Sequence, residues 1–285
     1  MKILVTGARG QLGTDVCLAA KKRGHEVHEA DLPDFDLTNE TAVREAILSY
    51  QPDIVLHCAA YTAVDKAETE PDTAFAVNVL GTRYVAEACS TLGIWCIYIS
   101  TDYVFDGSGN TPWEVTDPTA PLSVYGKTKC AGEAEVRTAL PDKYMVVRTS
   151  WVFGAHGANF VKTMRRLGAS RPQLRVVDDQ IGAPSYTVDL ASLLLEMAAR
   201  PVCGTYHASN AGETSFCSYA REILAVSGID CPVEGIPTSA YPLPAARPLN
   251  SRLSPRSLIE NGYTPLPDWK DALRRMVGEL NSSAL

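Results

Sequence analysis

Two side chains with complementary chemistry stand four residues apart in the segment 122–133, LSVYGKTKCAGE. On a helix, Tyr125 and Lys129 share one face about one turn apart. Tyrosine can donate a proton to a carbonyl oxygen, but its free pKa near 10 should fall toward the working pH for efficient transfer. A fall of roughly three units requires about 4 kcal/mol of preferential stabilisation of the phenolate, which a nearby ammonium helps to supply. The pair therefore predicts proton transfer to a substrate oxygen, with Lys129 assisting Tyr125.

A third polar side chain, Thr101, follows the apolar segment 94–99, which is typical of a buried parallel strand. Ligands of parallel sheets bind at the carboxyl ends of the strands. We therefore expect Thr101 to hold the carbonyl oxygen beside Tyr125, and Asp102 at the same strand end is a predicted substrate contact. The Tyr-x-x-x-Lys spacing also occurs by chance in many helices, so its interpretation depends on the rest of the chain.

A glycine-rich turn at the amino end supplies that context. Gly7, Gly10 and Gly13 follow the apolar run 3–5 at three-residue spacing and precede an amphipathic helical pattern. Gly7 permits a sharp turn, Gly10 lets the backbone approach a pyrophosphate, and Gly13 lets the helix pack against the strand. This strand, turn and helix predict a dinucleotide-binding site.

The adenosine end of this site has two acidic candidates. Asp31 lies about 20 residues beyond the turn, after the predicted strand 26–30, where a carboxylate can accept hydrogen bonds from the ribose. Asp36 is the alternative. Arg9 in the glycine turn can pair with a 2′-phosphate, so the residues leave NADH and NADPH open.

Small residues after the predicted strand 54–57 would let a flat ring lie close to the backbone. Asn78, in the helical pattern 71–92, either holds a backbone or a water near the site or is a surface amide. The complete predicted cofactor set is Gly7, Arg9, Gly10, Gln11, Leu12, Gly13, Asp31, Asp36, Leu37, Ala59, Ala60, Tyr61, Tyr125 and Lys129.

The alternation of strand and helix patterns predicts an α/β fold with a doubly wound parallel sheet, Rossmann-like, and a smaller C-terminal lobe. We place a dinucleotide-binding domain at 1–150 and a mainly substrate-binding lobe at 151–285, with some later segments returning to the first domain. The lobe would close over the carboxyl edge of the sheet.

Composition excludes several classes. The chain has 285 residues, a formal net charge of -7 and no basic run, which argues against nucleic acid or an anionic membrane as a partner. No apolar stretch reaches the length of a membrane span, and the amino terminus begins as a strand, so we expect a cytoplasmic protein. The eight cysteines lack the spacing of a zinc site, and no metal site is predicted.

Longer motifs make the interpretation more specific. They are STDYVFDG from 100, TPWE from 111, PLSVYGKTK from 121, RTSWVFG from 148, DDQIGAP from 178 and ARPLNSRL from 246. The motifs, and the Gly-x-x-Gly-x-x-Gly spacing, resemble the dTDP-4-dehydrorhamnose reductase family of extended short-chain dehydrogenases/reductases. The resemblance covers nearly the whole chain.

The resemblance implies reduction of the 4-keto group of dTDP-4-dehydro-L-rhamnose by NADPH or NADH, giving dTDP-L-rhamnose. Thr101, Tyr125 and Lys129 would be catalytic. Tyr103 and Trp151 would contact the sugar, and Arg247 would face the diphosphate, for which a guanidinium offers bidentate donors.

Some family members bind Mg²⁺ through acidic residues at a dimer interface. Asp15, Asp189 and the terminal sequence NSSAL depart from the acids of that site. A metal-bridged dimer is therefore not expected, although Mg²⁺ and a homodimer through another surface remain possible.

Four other functions are considered. A nucleotide-sugar dehydratase needs a second carboxylate where this chain has Tyr103, which disfavours it. A nucleotide-sugar epimerase or another nucleotide-sugar reductase would share the chemistry, but the motifs at 100–107 and 246–253 argue against an epimerase. The chain also resembles the regulatory beta subunit of methionine adenosyltransferase, a non-catalytic NADP-binding protein, but the presence of Thr101, Tyr125 and Lys129 favours an enzyme.

Overall fold

Six parallel strands form the central sheet of the computed structural model, which describes residues 1–282. The strands of the chain are β1 (Lys2–Thr6), β2 (Glu26–Ala30), β3 (Ile54–His57), β4 (Trp95–Thr101), β5 (Tyr144–Thr149), β6 (Val152–Phe153), β7 (Leu174–Val177), β8 (Ile181–Gly182), β9 (Ser185–Tyr186), β10 (Gly204–His207), β11 (Thr214–Ser215), β12 (Val233–Ile236) and β13 (Asn250–Ser251). The order across the central sheet is β10-β5-β4-β3-β1-β2. All five pairings in it are parallel, so the predicted doubly wound α/β fold is confirmed.

Helices cover both faces of this sheet. They are α1 (Gln11–Lys22), α2 (Glu40–Tyr50), α3 (Val64–Ala67), α4 (Pro71–Phe75), α5 (Thr82–Leu92), α6 (Val124–Ala139), α7 (Phe160–Gly168), α8 (Thr187–Ala199), α9 (Phe216–Val226), α10 (Arg256–Glu260) and α11 (Trp269–Ser282). None of these helices, over residues 1–282, is long and apolar enough to cross a membrane.

The alternation of side chains along the strands builds two apolar layers. On β1, Ile3 and Val5 face a layer that includes α1 and α8, whereas Leu4 faces a layer that includes α2 and α5. Because both faces are covered, the central strands are apolar throughout, as the sequence pattern predicts.

Residues beyond 150 contribute to both parts of the molecule. A separate apolar cluster joins α7, α9 and α11, whereas β10 extends the central sheet beside β5 and α8 packs against α1. The division at residue 150 stays a prediction, and residues 283–285 of the predicted lobe lie outside the described residues.

The predicted helix 71–92 contains a local irregularity. A π-helical segment, Ala76–Gly81, separates α4 from α5. This segment carries the buried Asn78 toward the loop after β3.

Candidate active site

Helix α6 carries the predicted proton donor. Ser123 caps the helix by accepting a hydrogen bond from the Gly126 backbone N–H at 3.1 Å. Gly132 lets the helix approach the sheet, because a Cβ there would lie 2.4 Å from Tyr98 Oη and 2.6 Å from the Asn78 carbonyl oxygen. Tyr125 and Lys129 consequently face the carboxyl end of β4, where both line one cleft with Thr101.

The surroundings of Tyr125 favour the protonated phenol. Burial raises the pKa of Tyr125, contact with the Thr101 hydroxyl opposes this shift, and the Asp102 carboxylate adds to it. The lowering expected from Lys129 is therefore not provided by the chain alone, because burial dominates. A protonated Tyr125 at neutral pH is the form that a proton donor requires.

Lys129 is a buried amine. Its side chain is 2% exposed, and Nζ lies 4.0 Å from the centroid of the Tyr98 ring. Burial lowers the pKa of Lys129 to about 7, against the opposing effects of Glu133 and Cys58. Its charge therefore depends on pH near neutrality.

Thr101 and Asp102 form a hydrogen-bonded pair at the end of β4. The Thr101 hydroxyl donates to Asp102 Oδ1 at 2.9 Å and accepts from the Tyr103 backbone N–H at 3.2 Å. Burial raises the pKa of Asp102 to about 6, partly offset by the Ser251 and Thr101 hydroxyls. The pair fixes the Thr101 oxygen beside Tyr125.

The glycine turn packs so closely against its neighbours that two of its positions admit no side chain. Gly7 has φ +65°, and a Cβ there would lie 2.7 Å from the Ala59 backbone; a Cβ on Gly13 would lie 2.0 Å from the Gly7 carbonyl oxygen. Gly10 caps α1 without a side-chain hydrogen bond, and no acid lies in the first turn of the helix. This open, positively polarised helix end fits the pyrophosphate of a dinucleotide.

At the adenosine end, the two candidate acids differ in their partners. Asp31 accepts hydrogen bonds from the backbone N–H groups of Arg9 at 2.7 Å and Leu32 at 2.8 Å. Asp36 accepts from Thr38 within its own turn. The Arg9 guanidinium donates to the Leu32 carbonyl at 2.7 Å and so lies beside the end of β2.

One cleft of about 790 Å³ runs over the carboxyl edge of the sheet from this end to α6. It is lined by thirteen of the fourteen predicted cofactor residues, Tyr61 being the exception, and by four of the five predicted substrate contacts, Arg247 being the exception. The cleft spans the gap between β1 and β3, where the strand order reverses and ligands of such sheets bind.

Comparisons with known proteins agree with this geometry. A sequence model of the family described as "RmlD substrate binding domain" matches residues 1–282. The dTDP-4-dehydrorhamnose reductase of Escherichia coli (strain K12) is 40% identical over 295 aligned residues, covering 98% of each chain. The chain belongs to the dTDP-4-dehydrorhamnose reductase family. As a member of that family it is an oxidoreductase, which confirms the predicted class of enzyme.

Solved structures of the dTDP-4-dehydrorhamnose reductase family have the same fold. The protein of Clostridium acetobutylicum superposes with a TM-score of 0.96 at 41% identity, covering 99% of this chain and 100% of its own. The Bacillus anthracis reductase in complex with NADP superposes with a TM-score of 0.95 at 38% identity, covering 98% and 99%.

Two predicted contacts lie outside the cleft lining. The Tyr61 hydroxyl donates to Glu70 at 2.8 Å, so only the backbone of Tyr61 continues the loop at the site. Arg247 binds both carboxylate oxygens of Asp65, at 2.9 and 2.7 Å. Arg247 is nevertheless close enough to Tyr103 to oppose the rise in pKa that burial imposes on that phenol.

Asn78 holds the backbone of the loop after β3, which is one of the roles predicted for it. Its side chain accepts from the Tyr61 N–H at 2.8 Å, and it donates to the Tyr61 carbonyl at 3.2 Å and to the Thr128 hydroxyl at 3.0 Å. It thus joins the loop after β3 to α6, and the surface-amide alternative is wrong because Asn78 is 1% exposed.

Aromatic side chains from the C-terminal part complete the cleft. Trp151 has a φ of +47°, and its ring stacks on Phe216 at 3.8 Å between centroids. A positive φ at a bulky residue is strained and concentrates at functional sites. Phe160, Phe216 and Tyr219 also line the cleft. These three residues are not among the predicted contacts, although their position on the amphipathic helices α7 and α9 was a usable signal.

The acids considered for Mg²⁺ have other partners. Asp189 binds Arg275 in a bidentate pair at 2.8 and 2.7 Å, and Asp15 lies 3.6 Å from His156. Over residues 1–282, no group of three or more His, Cys, Asp or Glu side chains has the arrangement of a metal site.

Proposed function

We propose that this protein reduces the 4-keto group of dTDP-4-dehydro-L-rhamnose with NADPH, giving dTDP-L-rhamnose. The observation that carries the proposal is the convergence of Thr101, Tyr125 and Lys129 at one end of a cleft whose other end is a dinucleotide cradle. The Escherichia coli relative is named for this reaction, and the Bacillus anthracis relative is a complex with NADP.

The assignment of NADPH depends on the groups that this chain offers to the pyrophosphate, the ribose and the 2′-phosphate. The first turn of α1 would hold the pyrophosphate, and Asp31 would accept a ribose hydroxyl. Arg9 would bind the 2′-phosphate, because its guanidinium lies at the end of β2 and prefers a phosphate to a carbonyl partner. The bound cofactor supplies the hydride.

The chain's residues supply the proton. Tyr125 stays protonated through burial and would donate its phenolic hydrogen to the carbonyl oxygen as that oxygen gains charge. Thr101 would hold the same oxygen, and Lys129 would stabilise the phenolate that remains.

Substrate recognition is divided between the two parts of the chain. Tyr103, with its ring 5.6 Å from that of Tyr125 in an edge arrangement, and Trp151 would contact the sugar. Arg247 would bind the diphosphate with the guanidinium that Asp65 now orients.

The loss of absorbance at 340 nm tests the function directly. Purified protein should oxidise NADPH when dTDP-4-dehydro-L-rhamnose is added, and chromatography should recover dTDP-L-rhamnose in equal amount. UDP-4-keto sugars serve as the specificity control. Binding of NADPH without oxidation with any nucleotide sugar would contradict the proposal and favour a regulatory NADP-binding protein.

A further inference from the structure

A buried ion cluster lies one helical turn beyond Lys129. Glu133 follows Lys129 by four residues on α6, and its side chain is fully buried. Its Oε1 accepts hydrogen bonds from Ser100 at 2.6 Å and Arg148 at 2.8 Å. Its Oε2 accepts from Arg148 and Arg137, both at 2.8 Å.

This cluster touches each element that carries the proposed chemistry. Ser100 directly precedes Thr101 on β4, and Arg148 lies near the carboxyl end of β5. Tyr125, Lys129 and Glu133 lie at successive turns of α6. The carboxylate of Glu133 is therefore joined to the strand end and the helix whose side chains meet in the cleft.

Among the groups around Lys129, Glu133 is the carboxylate that favours the charged form of the ammonium. His57 at the end of β3 and the thiol of Cys58, the next residue, face Lys129. The Tyr98 ring of β4 lies under Nζ, and Tyr125 and Glu133 flank Lys129 along α6. Among residues 1–282, no carboxylate forms an ion pair with Lys129 within 4.0 Å, so Glu133 acts across one turn.

We propose that Glu133 is a positioning residue that keeps Lys129 in its charged form by compensating the two guanidinium groups bound behind it. This inference rests on the proposed function of Lys129. Without the Glu133 charge, the buried ammonium would lose the carboxylate that favours its charged form, and Arg148 and Arg137 would leave two uncompensated positive charges one helical turn away. The ammonium would then lose its proton at a lower pH, and the Tyr125 phenolate would lose its stabilising cation.

Nuclear magnetic resonance of lysine labelled with ¹³C at the ε carbon tests this proposal without requiring turnover. The Lys129 resonance is assigned by its absence in Lys129→Gln. Glu133→Gln should move the titration of Lys129 to lower pH by about one to two pH units. Arg137→Gln removes one of the positive charges and should move it in the opposite direction by a smaller amount.

Ser100→Ala is the matched control, because it removes a hydrogen bond to Glu133 without changing a charge. Its Lys129 titration should stay within about 0.3 pH units of the wild type. In turnover assays, the alkaline limb of the kcat/KM profile should follow the titration in each variant, and Glu133→Asp should restore it. A merely structural role would lower thermal stability without moving the profile.

Equal Lys129 titration in wild type, Glu133→Gln and Arg137→Gln would overturn the proposal. If Glu133→Gln fails to fold, Glu133→Asp is titrated instead, because it keeps the carboxylate charge. Its Lys129 titration should stay within about 0.3 pH units of the wild type, and a downward shift of about one unit or more despite the retained charge would overturn the proposal. A shifted titration in a protein that oxidises no cofactor would refute the proposed function and retain the role of Glu133.

Discussion

At the scale of single residues, the site combines groups whose ordinary ionisation is altered by burial. Lys129, with a pKa of about 7, and Asp102, with a pKa of about 6, both titrate close to neutral pH. Tyr125 is shifted upward and stays protonated. Perturbed groups gathered in one cleft are typical of catalytic sites, and here they lie opposite a cradle for phosphates.

Arg9 provides a residue-scale prediction about the cofactor. Arg9→Ala should raise the KM for NADPH by about 10-fold or more, because a charge-assisted bond to the 2′-phosphate is lost. The KM for NADH, which lacks that phosphate, should change little. Steady-state kinetics with both cofactors measure the two values.

The control for this experiment is Arg44→Ala, an exposed arginine on α2 outside the cleft lining. It should leave both KM values near those of the wild type. An equal rise for NADPH and NADH in Arg9→Ala would contradict the assignment, because it would show that Arg9 supports the glycine turn in general.

At the scale of elements, the position of α6 against β4 determines whether Tyr125 and Lys129 meet Thr101 in the cleft. Gly132 permits this contact, and Asn78 in the π-helical segment reinforces it through Thr128. A π-helical turn within a longer helix is frequent at functional sites. Helix α6 is therefore a rigid carrier whose displacement would separate Tyr125 from Thr101.

Substitution of Gly132 tests the role of this contact. In Gly132→Ala, the added Cβ would overlap Tyr98 Oη and the Asn78 carbonyl, costing about 1–3 kcal/mol of unfolding free energy. Turnover should fall further than stability alone explains, since α6 must move away from β4. Thermal unfolding and kcat measured on the same sample separate the two effects.

Gly278→Ala is the matched substitution on α11, where an added Cβ meets no atom within 4 Å. It should stabilise the protein by about 0.5–1 kcal/mol, because alanine favours the helix, and should leave kcat unchanged. A Gly132→Ala protein as active and stable as the wild type would show that the close approach of α6 is dispensable.

At the scale of the whole molecule, two buried histidines make folding sensitive to acid. Burial lowers the pKa of His57 and of His207 to about 3, in each case with help from a nearby cation, Lys129 or Arg148. The unfolded chain therefore binds more protons than the folded one from about pH 6.5 down to pH 3, and stability is lost as pH falls through that window.

Between pH 7 and pH 5, each histidine should cost about 2 kcal/mol of unfolding free energy. Asp102 acts in the opposite sense and offsets about 1 kcal/mol of this loss, because its pKa is raised in the folded state. Urea unfolding should therefore show a net decrease of about 3 kcal/mol in the free energy of unfolding between pH 7 and pH 5.

Two variants provide the controls for this prediction. His207→Gln should lose less over the same interval, and His28→Gln, an exposed site, should match the wild type. A free energy of unfolding independent of pH over this range would contradict the account.

Much of this architecture follows from local patterns in the chain. Apolar β-branched runs predict β1, β3 and β4, and the glycine spacing predicts the cradle before α1. The Tyr125 and Lys129 spacing predicts a shared helix face. These features depend on residues that are close in sequence, so their geometry is determined by strand and helix periods.

Other features depend on contacts between distant segments. The π-helical turn at 76–81 has no periodic signature, and the binding of Glu133 to Arg148 requires the packing of α6 on the sheet. The ion pair of Asp65 with Arg247 joins residues 182 positions apart. This pair holds the Arg247 guanidinium just outside the cleft lining, where the sequence predicted a substrate contact. Only tertiary structure reveals such pairs.

The measurement that tests the central claim most directly compares wild type with Tyr125→Phe under two assays on the same preparations. NADPH oxidation with dTDP-4-dehydro-L-rhamnose should fall by about 10²- to 10⁴-fold in the variant, because the donated proton is lost. The dissociation constant for NADPH should rise far less, because the glycine turn, Asp31 and Arg9 supply most of the predicted cofactor contacts. A Tyr125→Phe protein that keeps the wild-type rate would contradict the assignment of Tyr125 as the proton donor.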